Sequence, residues 1–122
     1  MKTTDRDEIK EMIGRCLNSS ANSLIAIDKR DCELALDGAG DIVAIFVHSD
    51  NWDELLERVH SELEAVDTTN TTVLSWLEVG NLIMSQYVQF SELLSNVDAA
   101  KILSSLINAT SEGHNSLLVI CK

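Results

Sequence analysis

Residues 23–48 read SLIAIDKRDCELALDGAGDIVAIFVH, and the parsing of this stretch decides the expected fold. It divides into three short apolar runs, residues 24–28, 32–37 and 42–48, separated by Lys29-Arg30-Asp31 and by Gly38-Ala39-Gly40-Asp41. Runs of this length, rich in β-branched residues and bounded by turn formers, predict the strands of a meander. In the second run Cys32, Leu34 and Leu36 alternate with Glu33, Ala35 and Asp37, which gives one dry face and one wet face. The third run, Ile42-Val43-Ala44-Ile45-Phe46-Val47, has no alternation and predicts a strand buried on both faces. The glycines at 38 and 40 open a strand rather than a helix, so they read as a hairpin turn and not as a phosphate cradle.

Helical patterning flanks this stretch on both sides. Residues 4–18 place Ile9, Met12, Ile13, Cys16 and Leu17 on one stripe, with Thr4 as the expected cap and Asp7 three positions on. Asp50 is expected to cap a second helix running to about residue 66, with Trp52, Leu55, Leu56, Val59, Leu63 and Val66 inward. After a polar loop at 67–71, residues 72–89 are apolar nearly all round. Ser75, Glu78, Ser85 and Gln89 form their narrow polar strip, at helical spacing. Such a segment predicts a central helix, or one half covered by a second copy of the chain. A short helical turn at 91–95 and a last helix at 97–112 follow, the latter with Ala99, Ile102, Leu103, Leu106 and Ile107 inward and Gly113 as its stop. Residues 117–121 predict a fourth strand. The expected architecture is a single α+β domain over residues 1–122. In it, a small, mostly antiparallel four-stranded sheet, three strands of meander plus the C-terminal strand, is covered by about four helices.

Charge is the most informative property. The net charge is −11, and residues 28–67 carry twelve acids against Lys29, Arg30 and Arg58. The first 27 residues balance, and residues 68–122 carry four acids and two bases. An acidic field of this kind disfavours nucleic acid and anionic membrane and favours a basic protein surface. No apolar run approaches the roughly 18–20 residues that cross a bilayer. The N-terminus leads into a charged helix, and the three cysteines are an odd number at apolar positions; the expected compartment is the cytoplasm.

Motifs that carry chemistry are absent. His48, His60 and His114 form no pair at helical ligand spacing with one another or with cysteine, so neither a metal nor a cofactor is expected. Cys32 or Cys121 with one of these histidines would be needed for a thiol nucleophile, and no local pattern supports it. The turn aspartates Asp28, Asp31, Asp37 and Asp41 lack a cation-loop spacing. The sequence thus predicts a non-enzymatic, acidic, cytoplasmic protein-binding module that neutralises or inhibits a basic partner such as a toxin, nuclease or effector. Its physical profile is that of immunity proteins and enzyme inhibitors. The expected contact residues are Asp37, Asp41, Asp50, Asp53, Glu54, Glu57 and Glu64. An acidic dimeric secretion chaperone, its homodimer built through residues 73–88, and a small enzyme with an unrecognised site are the alternatives.

Overall fold

In the computed structural model, six strands among the described residues form one mixed sheet with helices on both of its faces. The structure describes residues 2–18, 23–25, 27, 30, 32–33, 41–80, 83–108 and 115–122. In chain order the elements are β1 (Lys2–Thr3), α1 (Arg6–Asn18), β2 (Ser23–Ile25), β3 (Val43–Ser49), α2 (Trp52–Glu64), β4 (Thr72–Val79), α3 (Met84–Ser95), β5 (Lys101–Asn108) and β6 (Asn115–Cys121). Across the sheet the order is β1-β3-β6-β4-β5-β2. Every pairing is antiparallel except β4 with β5, which run parallel as the two strands of a crossover through α3.

This corrects the expected four-stranded meander sheet, although the α+β class holds. The expected strands at 42–48 and 117–121 do form, as Val43–Ser49 and Asn115–Cys121, and they pair with each other over seven positions, from Val43 opposite Cys121 to Ser49 opposite Asn115. The meander does not form. Ser23–Ile25 pairs with β5 at the far edge of the sheet, and Arg30, Cys32 and Glu33 have helical backbone. The remainder of the expected second strand, 34–37, and the glycine turn lie outside the described residues.

The two largest corrections are β4 and β5, both expected as helices. Residues 72–79 are a strand packed on both faces. Val73, Leu77 and Val79 enter the core under α2 and α3, while Leu74 and Trp76 enter the core under α1. A strand covered on both sides needs apolar residues at consecutive positions, and that pattern also satisfies a helix apolar all round. In β5, Ile102 and Leu106 face one layer and Leu103 and Ile107 the other. Spacings of one and four are a helical stripe and also an alternating pair of strand faces. With β4 interior, the expected homodimer surface over 73–88 cannot be one continuous helix face.

Both long helices start from local caps, each one residue later than expected. Asp5 Oδ1 accepts from the Asp7 amide at 3.0 Å, so Asp5 rather than Thr4 caps α1. Asn51 Oδ1 accepts from the Glu54 amide at 3.1 Å, so Asn51 rather than Asp50 caps α2. In the loop after α2, Asn70 takes a positive φ of 62°, a conformation asparagine adopts more readily than most residues. Among the described residues, the sheet's two edges are its shortest strands, which limits edge-to-edge pairing.

Candidate functional site

Among the described residues, two places gather functional groups, one on each face of the sheet. The first is the outward side of α2 and α3. Both helices follow parallel strands, β3 and β4, and return from the same end of the sheet. They are joined by a hydrogen bond of 2.6 Å from Trp52 Nε1 to Gln89 Oε1. Asp50, Asp53, Glu54, Glu57 and Glu64 are all exposed along α2 and its entry, a span of about 20 Å at the helical rise. Glu54 is in addition tied to the helix start, accepting from Ser49 Oγ at 3.3 Å, and Glu64 lies 3.0 Å from His60 Nε2. Asp41 is exposed but precedes β3, at the opposite end of that strand from Asp50, so it stands apart from the N-terminal α2 acids. Asp37 lies outside the described residues.

The start of α3 exposes four apolar side chains: Ile83 (54%), Met84 (76%), Tyr87 (37%) and Val88 (46%). The positions repeat at three- and four-residue spacing and so share one side of the helix. Ile83 and Tyr87 continue the line of the buried Phe90 and Leu94, at positions 83, 87, 90 and 94, so the first turn of α3 carries the core-facing stripe out into solvent. The sequence pattern contained this stripe, but the reading of 72–89 as one helix merged it with the interior residues of β4.

The second place is a cleft of about 440 Å³ between α1 and the opposite face of the sheet. Its floor is two successive rows of side chains across adjacent strands. Phe46, Leu118 and Trp76 stand side by side on β3, β6 and β4; two residues further along, Ser116 and Glu78 are direct cross-strand partners. The roof is one side of α1, where Glu8, Met12, Arg15 and Cys16 recur at helical spacing. Glu8 Oε2 accepts from Thr3 Oγ1 at 3.0 Å. Burial, together with the Glu78 carboxylate, pushes the Cys16 thiol up to about 12 despite the nearby Arg15, and burial pushes Cys121 up to about 11. Both sulfurs are therefore protonated and poorly nucleophilic near neutral pH. Sequence reasoning missed this cleft. Its signal was Glu78, a charged residue inside a run that is otherwise mostly apolar.

Among the described residues no group of three or more histidine, cysteine or carboxylate side chains comes together as a metal site. No described helix is long and apolar enough to cross a membrane.

No family model and no curated protein matches the sequence. Solved structures do match the fold. The chain is similar to FtsZ from M. jannaschii, solved as an empty dimer, with a TM-score of 0.62 and 18% identity over 81% of this chain and 32% of that one. A point variant of the same FtsZ gives 0.60 at 18% identity, over 80% and 32% of the two chains. CetZ1 from Haloferax volcanii, a GDP-bound monomer, gives 0.52 at 11% identity, over 93% and 38%. The likeness therefore spans about a third of the length of these proteins and is one of fold.

Proposed function

We propose that this chain is an acidic protein-binding module, acting in the cytoplasm, whose α2–α3 face docks a basic partner protein and blocks the surface it covers. The observation that carries this reading is the row of exposed carboxylates Asp50, Asp53, Glu54 and Glu57 at the entry and start of α2, together with the exposed apolar side chains Ile83, Met84, Tyr87 and Val88 at the start of α3. An apolar centre supplies most of the affinity of a protein interface, and a charged surround supplies steering and choice of partner. The carboxylates outnumber Arg58, the one base on α2, whose Nη1 donates to the His48 carbonyl at 3.2 Å. A partner complementary to the acids of α2 is rich in lysine and arginine.

The test is photo-crosslinking in cells of the source organism from a benzophenone side chain at position 87, with three backgrounds compared. These are the otherwise unchanged chain, the charge-neutralised Asp53→Asn/Glu57→Gln chain, and a Met84→Ser/Val88→Ser chain. A basic protein crosslinked in the first background and lost in the other two supports the reading. After purification, its association rate should fall roughly tenfold or more between low and high salt. Crosslinking that survives charge neutralisation, or that yields only a second copy of this chain, overturns it.

A further inference from the structure

We propose that the cleft between α1 and the sheet binds an uncharged aromatic molecule bearing a hydroxyl group, its ring against Phe46 and Trp76 and its hydroxyl between Ser116 and Glu78. This site lies across the sheet from the α2–α3 face and does not depend on what docks there.

Ser116 stands on β6, which has a strand on each side, and it is only 6% exposed. Its side chain lines the cleft and has no hydrogen-bond partner among the described residues. A hydroxyl so far from bulk water is costly until a partner reaches it, and here the cleft is the way in. Glu78, its direct cross-strand partner on β4, is half-buried on the same wall. Its carboxylate likewise has no hydrogen-bond partner among the described residues. The two side chains together present one donor and several acceptors at adjacent positions. A hydroxyl group satisfies both, donating to the carboxylate and accepting from the serine.

The charges of the lining favour neither sign of ligand. Glu8 accepts from Thr3 Oγ1 at one end of the cleft. Glu78 and Arg15 both stand near the Cys16 sulfur and act on its thiol in opposite senses. A cation that approached Glu78 would meet Arg15, and an anion drawn to Arg15 would meet Glu78, so a charged ligand gains too little to repay its lost hydration. The remaining walls, Met12, Phe46, Trp76, Ile107 and Leu118, are apolar, and two are aromatic, which suits a ring. The volume of about 440 Å³ falls within the roughly 300–1,000 Å³ typical of small-molecule sites.

The probe is 2-naphthol, uncharged near neutral pH, and the readout is amide chemical-shift mapping on the whole chain. It should shift the amides of Cys16, Phe46, Glu78 and Ser116 and saturate with a Kd of about a millimolar, as expected for so small a molecule. Naphthalene, which lacks the hydroxyl, should bind at the same place about fivefold more weakly. The anion 2-naphthoate and the cation 2-naphthylmethylammonium should each bind at least about threefold more weakly than 2-naphthol. Ser116→Ala should weaken 2-naphthol by about threefold to fivefold and leave naphthalene unchanged. The four-ligand comparison needs no variant, so it stands even if that substitution disturbs the fold. Tighter binding of either ion, equal affinity for 2-naphthol and naphthalene, shifts confined to other parts of the molecule, or absence of shifts overturns the proposal.

Discussion

Ser75 is fully buried in the middle of β4, on the face covered by α2 and α3, and its Oγ has no hydrogen-bond partner. Ser104 stands directly across from it on β5 without satisfying that hydroxyl. A buried polar group left unpaired costs about 1–3 kcal/mol, and removing it recovers part of that. Ser75→Ala should therefore raise the unfolding free energy by about 1 kcal/mol, read as a higher urea midpoint at unchanged slope. A lower midpoint would mean that the hydroxyl is bonded in solution. The buried thiols make a second prediction at this scale. Cys16 and Cys121 ionise at about 12 and about 11 in the native state against 9.0 for an exposed thiol. A raised native pKa means that the folded state prefers the protonated form. Stability from this source is complete below pH 9 and is lost as the pH rises through 11 and towards 12. The urea midpoint should fall over that alkaline range, and by less in a Cys16→Ala/Cys121→Ala chain. An identical fall in both would place the effect elsewhere.

At the scale of elements, α2 is the best determined from local chemistry. Its apolar stripe reappears in the structure as the buried trio Leu55, Val59 and Leu63, with Trp52 and Val66 packed at its ends. Its start lies one residue later than the sequence predicts, because Asp50 and Asn51 are adjacent and both belong to the strongest capping types. The geometry selects Asn51, whose side chain reaches the Glu54 amide while Ser49 Oγ accepts from the Asn51 amide at 3.1 Å. Asn51→Ala should cost about 1 kcal/mol of stability by thermal or urea unfolding, and Asp50→Ala should cost much less. The reverse order would restore Asp50 as the cap. The same element carries most of the acids expected to meet a partner. Their presentation on one exposed side follows from helical periodicity, since the inward stripe leaves them nowhere else to go.

At the scale of the whole molecule, local pattern and long-range pairing part company. The sequence by itself determined α1 and α2 with their apolar stripes, the strands β3 and β6, and the concentration of negative charge along α2. Each of these is written in a short window, as a 3.6-residue period, an unbroken apolar run ending at turn residues, or a count of carboxylates. Tertiary structure alone decided that Thr72–Val79 and Lys101–Asn108 are strands, that they run parallel, and that β2 pairs with β5 instead of with a strand at 32–37. The cleft depends on the same decision, since Glu78 and Ser116 become neighbours only through the pairing of β4 with β6. A segment that is to be buried on every side carries much the same apolar sequence whether it coils or extends. The choice is made by backbone hydrogen bonds to residues as far apart as Thr72 and Lys101, which no local window contains.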